Sequence, residues 1–184
     1  MNIPMEREAV RSDEEWEFVL WLREAVREGL VLSWDYESKT YPLFDKAVYV
    51  ETVQMKTKVK HVERFLLHPA EYTPDFSFVL TEKGAGRLLK AFKPSIGVNG
   101  RQIVVDIKGS FNPRGGDDRH ISLIQKAMFH LHGVYVQKIV PKKLFAMTYA
   151  PEKLRWMQNR NIPTQTALGR KCMNISEFTK ESWS

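Results

Sequence analysis

The hydrophobic pattern of the chain begins with one strongly helical segment. Apolar side chains recur at helical spacing through residues 12–28, which predicts an amphipathic helix. Ser12 is a suitable N-cap and Gly29 a suitable stop, and residues 1–11 are expected to form a mobile leader. The apolar stripe of this helix consists of Phe18, Val19, Leu22 and Val26.

Most of the remaining chain has the composition or the two-residue period of β-strands. A second helix is predicted at residues 117–132 before Gly133, and a helical turn at 87–92. One helix, a set of strands, then helix and strand predict an α/β fold, with a mixed β-sheet flanked by helices. The strand-like stretches are residues 30–32, 33–43, 47–67, 72–80, 103–107, 134–140 and 144–149.

Two of these stretches, residues 72–80 and 103–107, carry unexpected charges. The second is a continuous β-branched run broken by Asp106, the pattern of a buried strand with a carboxylate on it. Because side chains alternate along a strand, Asp106 and Lys108 point to the same side. If the two strands pair as an antiparallel hairpin, Asp75 can sit opposite Asp106. Two carboxylates and an ammonium group would then share one patch.

Such a patch has a chemical use. Mg²⁺ takes hard oxygen ligands and needs only one or two protein carboxylates, which leaves room for a substrate phosphate. A neighbouring lysine can orient or deprotonate the attacking water, so the spacing indicates metal-assisted phosphodiester hydrolysis. The ordinary alternative is an Asp that starts a strand after Pro74 and an Asp–Lys pair at a strand end.

Glu15 lies in the middle of the apolar stripe of the first helix. A carboxylate that faces a core is costly unless it is paired, hydrogen-bonded or bound to a metal. Ser12 and Glu15 have capping-box spacing, so Glu15 can bond back to the Ser12 backbone N–H. The competing interpretation makes Glu15 a third acidic metal ligand.

In chain order, an acidic residue on a first helix, Pro74-Asp75 and Asp106-Ile107-Lys108 resemble the PD-(D/E)xK nuclease superfamily. Within it the chain is similar to small phage endonucleases related to Holliday-junction resolvases. Trp16, Phe18 and Gln125 depart from the pattern of those proteins. The residues that match their layout are Ser12, Glu15, Val19, Leu22, Gly29, Gly109, Phe129 and Gly133.

The resemblance implies a restriction-endonuclease-like core, with the nuclease domain over residues 1–150. It implies a homodimer that cuts branched or Holliday-junction DNA during phage DNA processing. The implied cofactor is Mg²⁺, for which Mn²⁺ substitutes, and Lys108 serves the attacking water. The implied metal ligands are Glu15, Asp75, Asp106 and Ile107.

The charge pattern is compatible with a polyanionic partner. The net charge is +6, and residues 136–184 hold 9 basic and 3 acidic side chains, while residues 1–135 hold 19 of each. A basic tail at 151–184 can contact phosphates or pack on the domain.

Individual basic and polar side chains extend this expectation. Alternation from Lys56 to Lys60 predicts a ridge on one face of a strand, which either tracks phosphates or protects a sheet edge. The other candidates lie in the loop after Lys108, on the second helix and in a basic turn. The candidate DNA contacts are Lys56, Lys58, Lys60, Arg114, Gln125, Lys126, Lys142 and Lys143.

The remaining composition limits the class of protein. A content of 43% hydrophobic residues in 184 predicts one domain with a sizeable core. The single Cys172 excludes an intramolecular disulfide and any multi-cysteine zinc site. The chain has no apolar run long enough to span a bilayer, and its first residues are charged. We therefore expect no membrane association and a cytoplasmic location.

Other functions fit the same residues. Within the enzyme interpretation, an exonuclease or a sequence-specific endonuclease of the same superfamily is an alternative. The other class is a non-catalytic DNA-binding protein that keeps the fold, or a structural phage component.

Overall fold

The computed structural model describes residues 6–93, 100–109, 116–165 and 171–180, with the backbone alone at 116–119. No helix in these ranges is long and apolar enough to cross a membrane. After a 3-10 turn at Arg7–Ala9 the elements are α1 (Asp13–Arg27), β1 (Val31–Tyr36), β2 (Tyr41–Phe44), β3 (Ala47–Gln54), β4 (Val59–Leu67), β5 (Ala70–Tyr72), β6 (Phe76–Leu80), α2 (Glu82–Leu88), β7 (Gln102–Ile107), α3 (Gly116–His132), β8 (Val136–Ile139), α4 (Pro141–Met147), α5 (Glu152–Trp156) and α6 (Ile175–Lys180).

A four-stranded sheet in the order β1-β6-β7-β8 forms the centre of the fold. Strand β6 pairs antiparallel with both β1 and β7, whereas β7 and β8 are parallel. Parallel neighbours need a long crossover, and α3 lies in that connection. The predicted α/β class with a mixed sheet flanked by helices is therefore confirmed. Two separate ribbons, β2-β5 and β3-β4, complete the strands.

The two faces of the central sheet bury different side chains. Ile103, Val105 and Ile107 of β7 belong to the core formed with α1. On α1, Phe18 packs edge-on against Phe76 with ring centroids 5.0 Å apart. The opposite face forms a smaller core under α3, in which the members are Tyr41, Val104, Met128, Val134 and Val136. This alternation explains why β7 reads as continuously apolar, because a strand covered on both sides has no wet face.

Residues after 150 contribute to the main core. Leu154, Ile175 and Phe178 are almost fully buried within it. The side-chain amides of Asn159 and Asn161 both donate to Glu17 Oε1 on α1, each at 2.8 Å. The described C-terminal segment is thus packed against α1 by apolar and polar contacts.

Five predicted elements differ from the structure, and two of them, residues 33–43 and 72–80, each divide between two strands. Residues 144–149 are not a strand, because α4 begins at Pro141, whose fixed φ favours the first turn of a helix. The helical turn predicted at 87–92 is instead the helix α2, which begins at Glu82. Thr81 caps this helix, because its hydroxyl oxygen accepts a hydrogen bond of 2.9 Å from the Gly84 N–H. The stretch 47–67 is a hairpin rather than one strand.

The lysine ridge changes with that hairpin. Lys56 and Lys58 lie in the turn between β3 and β4, where Met55 N–H donates to the Lys58 carbonyl at 2.9 Å. Lys60 alone lies in a strand, β4. The prediction of three lysines along one strand face is therefore wrong, since a two-residue period does not continue through a turn.

Two glycines of α2 give a test of how tightly this helix docks. A Cβ at Gly84 would lie 1.8 Å from the backbone oxygen of Leu30, whereas a Cβ at Gly86 meets nothing within 4 Å. We expect Gly84→Ala to lower the free energy of unfolding by about 2 kcal/mol or more, because two backbones must separate. Gly86→Ala is the matched control and should raise it by about 0.5–1 kcal/mol through helix propensity. Urea unfolding measures both, and equal effects would show that α2 does not dock against Leu30.

Candidate active site

The pairing of β6 with β7 brings two aspartates together. Phe76 is the partner of Val105, so extending the register by one residue places Asp75 opposite Asp106. Asp75 Oδ2 also accepts a hydrogen bond of 2.6 Å from the Ile107 backbone N–H. The carboxylate that precedes β6 is therefore fixed by the backbone of the strand that carries the second one.

Asp106 is the more deeply buried member of the pair, with 3% of the residue exposed. Tyr72 O–H donates to its Oδ1 at 3.1 Å. Its Oδ2 lies 2.8 Å from Lys108 Nζ, as sequence alternation predicts for residues two apart. Beyond this ion pair, no described group donates to Oδ2. One oxygen of Asp106 thus retains acceptor capacity.

Burial and electrostatic repulsion together change the protonation of Asp75. Burial, followed by the charge of Asp106, raises the pKa of Asp75 to about 7, and Glu15 adds to the shift. The Ile107 N–H and Lys108 act in the opposite direction without cancelling it. A divalent cation beside both carboxylates would relieve this repulsion.

Lys108 is held in its charged form. Burial lowers the pKa of its ammonium group, but contact with Asp106 and the charge of Asp106 outweigh burial, so the net shift is upward. At neutral pH the side chain is therefore a cation and a hydrogen-bond donor. That state suits orientation of a water or stabilisation of a phosphate rather than proton abstraction.

Glu15 occupies the first turn of α1 and is 8% exposed. Ser12 Oγ accepts from its backbone N–H at 3.2 Å, which is half of the expected capping box. Its side chain does not return to Ser12: Oε2 accepts from the Arg11 backbone N–H at 2.9 Å and from Tyr36 O–H at 2.8 Å. Burial, then the hydrogen bond to Glu15, raises the pKa of Tyr36. Ser12 is thus the cap, and Glu15 is a buried carboxylate within electrostatic reach of Asp75.

The donor set fits a hard cation that needs few protein ligands. Asp75 and Asp106 offer two carboxylates, and Ile107, whose side chain is apolar, can offer only its backbone carbonyl. Glu15 does not join them in a cluster, since the described side chains include no group of three or more His, Cys, Asp or Glu placed to hold a metal. Mg²⁺ usually keeps several waters and binds through one or two carboxylates, so the aspartate pair is sufficient.

The candidate DNA contacts are spread over several elements of the fold. Lys142 and Lys143 are exposed at the start of α4 and line a groove of about 290 Å³ that also includes Gly109, next to Lys108. On α3, Gln125 Nε2 donates to the Val136 carbonyl at 2.7 Å, while Lys126 is exposed. Arg114 lies outside the described residues, and the hairpin lysines lie on β4 and its turn.

Three residues at the site were missed by sequence reasoning. Tyr72 and Tyr36 hold Asp106 and Glu15, but each comes from a strand that no motif connects with the acids. Lys138 is the partner of Asp106 across the parallel β7–β8 pair, so its side chain leaves the same face of the sheet. Parallel register depends on how α3 crosses over, and no local pattern reports it.

No protein-family model, curated protein or solved structure matches this chain.

The raised pKa of Asp75 predicts a pH dependence of stability. Because its folded pKa of about 7 exceeds the usual 3.8, the folded protein retains a proton that the unfolded chain releases. Stability should therefore fall as pH rises from about 4 to 7, by on the order of a few kcal/mol. Asp75→Asn keeps an acceptor for the Ile107 N–H and should flatten this fall, leaving the variant more stable than wild type at pH 8.

Urea unfolding at several pH values without divalent cations measures the effect. Asp45→Asn, at an exposed position in the loop between β2 and β3, is the control and should leave the wild-type pH profile unchanged. Parallel profiles for wild type and Asp75→Asn would contradict the raised pKa of Asp75.

Proposed function

We propose that this protein is a Mg²⁺-dependent endonuclease that hydrolyses DNA phosphodiester bonds, built on a restriction-endonuclease-like core. The observation that carries the proposal is the site where β6 begins beside β7: a buried Asp106 and a half-buried Asp75 that repel each other, with Lys108 Nζ 2.8 Å from Asp106. Burying like charges side by side is unfavourable for a protein without a bound cation. A function that needs the cation explains why the chain retains them.

The roles of the residues follow from their positions. When bound, Mg²⁺ lowers the pKa of a coordinated water and neutralises negative charge on the phosphate. Asp75 and Asp106 hold the cation, together with the backbone carbonyl of Ile107. Lys108, being protonated, donates to the attacking water or to a phosphate oxygen. Glu15 adds negative charge beside the pair and is kept in place by Arg11 N–H and Tyr36.

The surface beside the site carries charges of both signs. Lys142 and Lys143 line the groove that includes Gly109, and so do Glu14 and Glu17, so a phosphate backbone entering there would contact the lysines on the α4 side of the groove. We infer selectivity for branched or Holliday-junction DNA, and a role in phage DNA recombination in the host cytoplasm, from the motif order alone. Cleavage of other DNA forms would indicate an exonuclease or a sequence-specific endonuclease of the same superfamily.

A cleavage assay tests the chemistry. Purified protein with Mg²⁺ is incubated with linear duplex, single-stranded, flap and four-way-junction DNA, and the four-way junction should be cut fastest. Asp106→Asn and Lys108→Met should each lower the rate by at least about 100-fold, because each removes a group needed for charge stabilisation. The matched exposed pair, Asp45→Asn and Lys46→Met, should leave it unchanged. DNA binding without cleavage by wild type in Mg²⁺ and in Mn²⁺ would favour the non-catalytic alternative.

Tyr72 gives a separate test of the metal site. Its hydroxyl donates to Asp106 Oδ1, so it orients a metal-binding carboxylate without touching the metal. We expect Tyr72→Phe to weaken Mn²⁺ binding about 10-fold while retaining the fold, as for other residues that orient ligands. Titration calorimetry measures the affinity, with Tyr49→Phe, exposed on β3, as the control. Equal affinity in both variants would remove Tyr72 from this role.

A further inference from the structure

A small cavity lies on the face of the central sheet that carries the acidic pair. Asp35 of β1 is the register partner of Ser77 of β6, and Ser77 is the partner of Val104 of β7, so these residues form one row across three strands. All three line a cavity of about 180 Å³, called the sheet cavity. Asp106 lies two residues beyond Val104 on the same face, a step of about 7 Å along the strand. The sheet cavity is therefore a neighbour of the candidate active site.

The lining of the sheet cavity combines apolar surface with polar groups. Tyr41, which is 8% exposed, contributes an aromatic ring from β2, and Lys39 Nζ lies 4.6 Å from the centre of that ring. The polar groups on the sheet are the side chains of Asp35, Ser77 and Gln102. No hydrogen bond joins these three side chains to another described group, so their donors and acceptors are available to a ligand.

The volume of the sheet cavity limits the size of its ligand. Sites for drug-sized molecules usually have at least ~300 Å³, whereas the 180 Å³ found here holds roughly six waters at ~30 Å³ each. A single small ring with its substituents fits this volume, and a whole nucleotide does not. A nucleobase has two flat faces that stack on aromatic rings and a polar edge, which is the combination that the lining offers. The size favours a one-ring base, a pyrimidine.

The charge of Asp35 distinguishes the two pyrimidines of DNA. A carboxylate accepts hydrogen bonds and does not donate them, and its usual base partner is the amino group of cytosine. Thymine has a carbonyl oxygen in place of that amino group, and a carboxylate repels it. The amide of Gln102 and the hydroxyl of Ser77 can donate to the ring carbonyl of cytosine. The lining of the sheet cavity therefore matches cytosine better than thymine.

We propose that the sheet cavity binds one unpaired cytosine of a DNA strand, beside the phosphate held at the aspartate pair. This inference rests on the proposed nuclease function, because the base belongs to the strand that is cut. The step of about 7 Å between Val104 and Asp106 is close to the separation of base and phosphate within one nucleotide. A base must leave the stack to enter a pocket, which costs least where it is already unpaired, so the site recognises locally opened DNA.

DNA binding without divalent cations tests this inference apart from cleavage. Three duplexes of one sequence carry an unpaired cytosine, an unpaired thymine or no unpaired base, and fluorescence anisotropy in EDTA measures their affinity for the full chain. Wild type should bind the unpaired cytosine about 10-fold more tightly than the unpaired thymine, because Asp35 accepts from the first base and repels the second. The fully paired duplex should also bind more weakly than the duplex with the unpaired cytosine.

Two matched pairs of variants assign the preference to the sheet cavity. Asp35→Asn introduces an amide that can donate to thymine, so the preference should fall below about 2-fold, while the exposed control Asp45→Asn should keep it. Ser77→Val removes a hydroxyl and narrows the cavity, so it should weaken binding of the unpaired cytosine about 10-fold. Ser33→Val is its control on the same face of the sheet, outside the lining. The melting temperatures of all four variants should stay close to that of wild type.

The results separate the cytosine site from the nuclease function. Equal affinity of wild type for the two unpaired bases, or a cytosine preference that survives Asp35→Asn, would overturn the cytosine site even if the protein cuts DNA. A preference that depends on Asp35, in a protein that cuts no DNA in Mg²⁺, would support the site and refute the nuclease function. If both hold, Mg²⁺ should produce cuts within one nucleotide of the unpaired cytosine, and cuts elsewhere would overturn the placement of the base beside the scissile phosphate.

Discussion

The antiparallel register between β6 and β7 is the constraint on which the candidate site depends. It places Asp75 beside Asp106, and the 2.6 Å hydrogen bond from Ile107 N–H fixes the first carboxylate against the second strand. A shift of one residue would move Asp106 and Lys108 together to the α1 face, among the aromatic side chains, and would separate Asp106 from Tyr72. The chemistry of the site is therefore a consequence of strand pairing rather than of any single motif.

That register is in turn held by apolar packing on both sides of the sheet. Phe76 and Phe78 are almost fully buried against Phe18 and Trp21 of α1, and Val104 lies under Met128 of α3. The favourable burial of these large side chains offsets the electrostatic cost of two adjacent carboxylates. Burial, followed by the charge of Asp106, raises the pKa of Asp75 to about 7, so packing does not remove that cost at the site itself.

The hairpin of β3 and β4 differs from this body in how its side chains are covered. The central strands are covered on two faces, whereas β3 and β4 leave apolar side chains such as Val50 and Phe65 more than half exposed. Cross-strand pairing, rather than packing against the rest of the described chain, holds this hairpin together.

The sequence by itself determined the elements with strong periodicity and the residues of the site. Three features follow from local patterns that tertiary contacts do not reverse: α1 between Ser12 and Gly29, the helix before Gly133, and Asp106 as the one acidic residue of β7. Residues 144–149 were mistaken for a strand, because a short apolar run is buried equally well as a helix and Pro141 decided between them. Only the tertiary structure decided how Glu15 is held, which tyrosines support the acids and that Lys138 stands beside Asp106. These contacts join residues far apart in the chain, and their partners are fixed by sheet order and helix docking, for which single-sequence patterns carry no signal.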